Sequence, residues 1–284
     1  MKRSIKALSL LMALILLLSG CNAGTKTEAS TVTTQAPTTA PATEPPTEPE
    51  PEPEPINTEE TLRAALEAGG RVVLEGDIQL TELLPVKGNL FDGGGYTITG
   101  REYVEDDDTT HNGVMVTSGT VENLRIVGAY KCIGDCTGYG ASNDVRIKNV
   151  YLDPYTVALN FGRGDGSGSL YVENSTLLGW VLHSKMKEVI FKDCTFGRNT
   201  RNSGGDYRAY CNATLIGCNF ESYFDESGKE TKYTINFNSS TKGVILTLED
   251  CYVNGTLITE SNISTLLKLK NVKNNTIRIQ NSTT

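Results

Sequence analysis

Between Val145 and Leu152 the chain reads VRIKNVYL, and between Leu170 and Leu177 it reads LYVENSTL. In both, apolar and polar residues alternate for four positions. One asparagine follows, then a small residue, and then the alternation resumes. The phrase recurs as LRIVGAYK from Leu124, VIFKDCTF from Val189, ATLIGCNF from Ala213, LTLEDCYV from Leu246 and LKLKNVKN from Leu267. Its fifth positions are Gly128, Asn149, Asn174, Asp193, Gly217, Asp250 and Asn271, at intervals of 21, 25, 19, 24, 33 and 21 residues. A repeat of this length marks stacked supersecondary units, each too small to bury its own apolar face.

Alternation at period two describes a strand with one buried side. Asn, Asp and Gly tolerate the left-handed backbone angles of a sharp bend. Each repeat is therefore expected to run strand, bend, strand. GVMV from Gly113, TVALNF from Thr156, WVLH from Trp180, RAYC from Arg208 and TINF from Thr234 supply a third strand per coil. This pattern resembles the right-handed parallel β-helix of the pectin-lyase-like superfamily. The resemblance implies an all-β solenoid of roughly eight coils, its strands about 4.8 Å apart. It also implies a bend ladder in which Asn149, Asn174, Asp193, Asp250 and Asn271 bond from coil to coil. A leucine-rich solenoid is the rival, but its longer consensus and its helices are missing.

At the start of the repeats, Asn57 reads as a helix N-cap with Glu60 completing a capping box. Leu62, Ala65 and Leu66 give that helix one apolar face, Gly69 and Gly70 end it, and it would cover the first open strand edge. Phe91–Gly100, FDGGGYTITG, has the glycines of a phosphate or oxyanion cradle. Neither a helix opening on Lys-Ser/Thr nor a nucleophile follows. An alternating Thr97-Ile98-Thr99 follows instead, so the glycines are read as the corner of a first coil.

Residues 1–21 have a basic start, at Lys2, Arg3 and Lys6, and an apolar run from Ala7 to Leu18. That run is short for a membrane span. Leu18-Ser19-Gly20-Cys21 resembles the lipobox of bacterial lipoproteins. The resemblance implies cleavage before Cys21, acylation of Cys21 by chains such as palmitate, and anchoring to a lipid bilayer at the outer face of the cell membrane. Residues 22–55 are rich in Thr, Pro and Glu and end in TEPPTEPEPEPEP. Such a segment has too little apolar surface to build a core and reads as a disordered stalk. Residues 56–284 are then the β-helix domain.

The net charge is −8. The signal contributes three positive charges and residues 22–60 a net seven negative ones, which leaves −4 for the rest. The acidity belongs mostly to the stalk, and the absence of a basic face argues against a nucleic-acid partner.

The catalytic phrases of pectin-lyase-like enzymes are not found. RIK occurs at Arg146–Lys148, but Ile147 is an inward position of a repeat strand, and no GHG or NTD accompanies it. The two histidines, His111 and His183, form no His-x-His, and no Cys-x-x-Cys or Gly-x-Ser-x-Gly is present. No catalytic residue, metal site or cofactor is assigned. Asp106–Asp108 are either a solvated acidic loop or a set of calcium ligands. Cys194, Cys218 and Cys251 follow the bend and are expected to stack inward as reduced core thiols. Cys132 and Cys136 are spaced for a disulfide within their loop. Arg163-Gly164-Asp165 resembles the integrin-binding tripeptide, and its residues equally suit a turn.

The longest coil concentrates Arg198, Arg201, Asp206, Tyr207, Arg208, Tyr210 and Tyr223. Aromatic rings stack on sugar faces and guanidinium groups bind carboxylates, so these residues are the expected binding site for a polysaccharide or cell-surface glycan. The alternative for the aromatics is a flank covering the solenoid. The functional expectation is glycan binding without catalysis. A divergent polysaccharide lyase or glycoside hydrolase is the enzymatic alternative, and an adhesin or structural spacer the passive one.

Overall fold

The computed structural model describes residues 54–101, 112–135, 142–162, 165–198, 206–224, 230–231, 233–237, 244–260 and 267–280. The signal-like segment, Cys21 and most of the stalk, together with Asp106–Asp108, His111, Cys136, Arg163, Gly164 and Arg201, lie outside the described residues.

The repeat strands pair in parallel with their equivalents one repeat later. On one face Val121 pairs with Ile147, Ile147 with Val172, Val172 with Phe191, Phe191 with Leu215, Leu215 with Leu248 and Leu248 with Leu269. A second face stacks Thr97–Thr99, Arg125–Val127, Tyr151–Asp153, Thr176–Leu178, Thr195–Gly197 and Asn219–Phe220. A third stacks Lys131–Gly134, Val157–Phe161, Trp180–His183, Asp206–Ala209 and Tyr233–Phe237. The result is an all-β parallel solenoid, β-helix-like, with one short helix among the described residues.

Alternation decides which side chains fill it. Val121, Ile147, Val172, Phe191, Leu215 and Leu248 are all fully buried and form one apolar column. Phe196 and Phe220 stack inside with ring centroids 4.4 Å apart. The outward column on the first face runs Glu122, Lys148, Glu173, Lys192, Ile216, Glu249, Lys270, with signs alternating on either side of Ile216. Lys148 Nζ lies 3.1 Å from Glu173 Oε1, and Lys270 pairs with Glu249. Exposed pairs of this kind contribute about 0–1 kcal/mol each. Register is set by the inward column, because a one-residue slip would turn every buried residue of a strand to the outside.

The bend residues Asn149, Asn174, Asp193, Asp250 and Asn271 have φ between 50° and 54°, and Gly217 has φ 64°. The first member of this column is Asn123 (φ 53°) and not Gly128. Glu122 pairs with Lys148, which sets Asn123 beneath Asn149. Gly128, φ 74°, makes the next corner, where its N–H donates to Asp153 O at 2.9 Å. Asn149 Nδ2 donates to Asn123 Oδ1 at 3.1 Å, Asn123 Nδ2 to Asp92 Oδ1 at 3.0 Å, and Asn271 Nδ2 to Asp250 Oδ1 at 2.8 Å. The ladder breaks at Gly217, where a Cβ would lie 2.4 Å from Asp193 Oδ1.

After the bend, Cys194, Cys218 and Cys251 point inward and are at most 2% exposed. Their thiols donate to Val172 O, Phe191 O and Leu215 O of the preceding coil, and none of the three is in a disulfide. The neighbouring Cys194 thiol, with burial, pushes the Cys218 thiol up to about 12.

Helix α1, Glu59–Ala68, buries Leu62 and Leu66 against the first coil. Its N-cap is Thr58, one residue later than Asn57, and Thr61 completes the box in place of Glu60. Glu59 bonds Arg63 and the Thr81 N–H, tying the cap to the coil beneath. In FDGGGYTITG, a Cβ on Gly93 would lie 2.6 Å from Asn123 O and 2.7 Å from Leu124 Cα. The glycine there is required by the approach of the next coil.

Candidate functional site

The third face joins the expected site to residues the sequence reading had left aside. Trp180–His183 alternates outward and inward: Val181 and His183 are buried, while Trp180 and Leu182 are half-buried on the outside. In the next coil Val181 pairs with Tyr207 and Leu182 with Arg208. Arg208 thus shares the outer face with Trp180, and its guanidinium lies 4.2 Å from the centroid of the indole ring. A stacked arginine and tryptophan gain about 0.5–2 kcal/mol and hold the guanidinium flat. Trp180 Nε1 is buried and has no hydrogen-bond partner. Gly179 N–H donates to Gly197 O at 2.8 Å, which puts the half-buried Arg198 at the corner beside Trp180.

Tyr207 has to be removed from the expected binding surface. It is fully buried, in phase with Val181, and its ring meets Phe191, Phe196 and Phe220 edge-on. Asp206 opens the strand that carries Arg208, and Tyr223 belongs to a short antiparallel ribbon, Tyr223–Phe224 with Glu230–Thr231. Of the expected residues, Arg208 is the one that the structure sets on Trp180, and Arg198 follows Gly197 at the adjoining corner. Trp180 itself was missed. It is the single tryptophan of the chain, and its outward phase follows from Val181 being inward.

Directly beneath this surface lies a polar cluster within the apolar core. His183 is 1% exposed. Its Nε2 is 2.7 Å from Tyr207 Oη and its Nδ1 is 3.2 Å from Cys211 Sγ. Burial pushes the imidazole down to about 3, so it is neutral throughout the physiological range. Burial also pushes the Cys211 thiol up, although the Met186 backbone N–H favours its thiolate.

Other candidates have structural uses. Arg146 lies 5.7 Å from the Tyr171 ring centroid on the first face, and Ile147 between Arg146 and Lys148 is fully buried. Asp165 Oδ1 accepts from the backbone N–H and the hydroxyl of Ser167, so its carboxylate closes its own turn. Buried Asp135 accepts from Gly162 N and from Ser142 Oγ, all at 3.0 Å, and ties adjacent coils. Among the described residues, no three of His, Cys, Asp and Glu converge as metal ligands. No protein-family model, curated protein or solved structure matches this chain.

Proposed function

We propose that this chain is a surface lipoprotein whose solenoid domain binds a polysaccharide or cell-surface glycan on its third face, without cleaving it. In this reading Cys21 carries the lipid, residues 22–55 hold the domain away from the bilayer, and the domain is a right-handed, pectin-lyase-like β-helix of roughly eight coils. The observation that carries the binding reading is the Arg208 guanidinium over the outward Trp180 indole, at 4.2 Å. Indole surface suits a sugar ring, and a guanidinium held flat beside it suits a uronate carboxylate or a sulfate.

The test is a glycan-array screen of the full chain in detergent, paired with assays for new reducing ends and unsaturated products. Binding to a glycan with no product formation is the expected result. It should weaken at least tenfold in Trp180→Ala and in Arg208→Ala. Turnover of a polyuronide would replace the binding reading with the lyase or hydrolase alternative. An array without hits would leave the domain as a spacer.

A further inference from the structure

We infer that the first face of the solenoid is a self-association surface, on which a second copy of this chain packs about a two-fold axis. Alternate residues of each strand point outward, and each strand pairs with its equivalent in the next coil, so the outward side chains form a grid. Asn212, Thr214 and Ile216 run across the middle of it. Thr214 pairs with Ile190 in one neighbouring coil and with Thr247 in the other. Ile216 pairs in the same way with Lys192 and Glu249, and its column continues to Glu173 and Lys270. All of these side chains are half-buried or exposed.

The charges of that column change sign about Ile216. One coil away on either side stand Lys192 and Glu249, and two coils away stand Glu173 and Lys270. A row of signs that inverts about its midpoint is complementary to its own reversed copy. A half-turn about the direction of the strand Ala213–Ile216 reverses the coil order, turns the face over and keeps the strand direction. It sets Lys192 of one copy opposite Glu249 of the other, and Glu173 opposite Lys270, each twice. Ile216 meets its own equivalent at the axis, and Tyr171 faces Lys268, whose ammonium suits an aromatic ring. A two-fold axis along the solenoid would instead set Glu249 against Ile245 and Ile216 against Asn212, burying a carboxylate and an amide without partners.

Packing geometry and the character of the surface agree with this arrangement. Sheets stacked face to face keep their strands within about 30° of one another, and a half-turn about the strand direction leaves them aligned. Ile190, Ile216 and Ile245 give the patch apolar surface, and the charged residues surround it. Five coils take part, from Ser169–Glu173 to Leu267–Lys270, so the patch is about 20–25 Å long. An interface of this size lies at the small end of specific ones, so the dimer should dissociate at micromolar concentrations. A uniformly charged ligand such as an acidic polysaccharide fits poorly, because it meets Glu173 and Glu249 as often as Lys192 and Lys270. The inference does not rest on the glycan reading, which uses the third face.

The experiment follows the mass of the full chain by sedimentation over a concentration series, in detergent with micelles in large excess over protein. The unaltered chain should pass from monomer to dimer. Lys192→Glu and Glu249→Lys should each weaken the dimer about tenfold or more, because each sets like charges opposite one another twice. Mixing the two variants should restore the dimer, since in the mixed pair every charge again meets its opposite. Zero-length carbodiimide coupling in a mixture of isotope-labelled and unlabelled chains checks the axis without any substitution. Cross-links between labels should join Lys192 to Glu249 and Glu173 to Lys270. If a variant fails to fold by circular dichroism, these cross-links in the unaltered chain decide. A chain that stays monomeric would leave the face to another partner and overturn the inference. A dimer that both folded variants leave intact, folded variants that do not pair when mixed, or cross-links joining Lys192 to Glu188 would also overturn it.

Discussion

Asn149 donates from Nδ2 to Asn123 Oδ1 at 3.1 Å, joining two bends that lie 26 residues apart in the chain. Both residues hold φ near 50°, where a short side chain that hydrogen-bonds through its amide is tolerated and alanine is strained. The relationship thus combines a backbone requirement with a side-chain bond, and substitutions can separate them.

Asn149→Ala should cost about 1–2 kcal/mol for the left-handed backbone and up to about 1 more for the lost bond. Asn149→Gly keeps the backbone freedom and loses only the bond, so it should be clearly the milder change. Urea denaturation of both variants, with hydrogen exchange in the flanking strands, makes the comparison. Equal destabilisation by Ala and Gly would mean that the bend angle contributes nothing there.

How far the architecture could be read from sequence follows from the same two features. Period-two alternation assigns inside and outside, and left-handed-tolerant residues assign corners. Both recur often enough that the strands and the bends from Asn149 onward are recoverable. The first coil misled because Thr120-Val121-Glu122 and Arg125-Ile126-Val127 alternate equally well, each followed within a residue or two by a possible bend residue. Only the pairing of Glu122 with Lys148 chooses Asn123 over Gly128. At Tyr207 the error lay in weighing composition above phase. Ala209 is inward, so Tyr207 two residues earlier is inward too, whatever arginines surround it. The contact of His183 with Tyr207 spans 24 residues and rests on the parallel pairing of Val181 with Tyr207, which no local pattern encodes.

His183 makes a pH prediction with a definite sign. Its folded pKa is depressed to about 3 from the ordinary 6.5. Below 6.5 the unfolded chain takes up a proton that the folded chain refuses, so this stability is full above 6.5 and is lost as pH falls toward 3. The slope expected from one such group is about 1.4 kcal/mol per pH unit. Stability should fall at about this rate between pH 6 and pH 4, and His183→Gln should flatten the curve there. A curve of unchanged slope in the folded variant would show that the imidazole is protonated inside.

Asp92 governs a lower window. Burial opposes its ionisation, but the Gly94 N–H, Asn123 Nδ2 and the Arg71 guanidinium together hold its carboxyl below the usual value of 3.8. A depressed carboxylate stabilises the fold above its unfolded pKa and stops doing so as pH falls through the folded one. Additional loss of stability is therefore expected below about pH 4. Asp92→Asn should be less stable at neutral pH and should lose less on acidification over that window. Denaturation midpoints at pH 5 and pH 3 measure it, and parallel losses in both proteins would remove Asp92 from the account.

Trp180 and Tyr207 lie on opposite sides of two paired strands, and that opposition yields the last prediction. Tyr207 fills the interior, so Tyr207→Ala leaves a cavity and should cost about 3–5 kcal/mol. Trp180 stands outside with Arg208 over its ring. Trp180→Ala forfeits a half-exposed contact of about 0.5–2 kcal/mol, and the same change in an Arg208→Ala background should cost less. The coupling between the two outer residues is therefore measurable in the absence of any glycan. With glycan present the order should reverse: Trp180→Ala weakens binding in a fully folded domain, whereas Tyr207→Phe leaves binding unchanged because its ring never meets solvent. A Tyr207→Phe protein that keeps its fold but loses glycan affinity would contradict this inside–outside division of the third face.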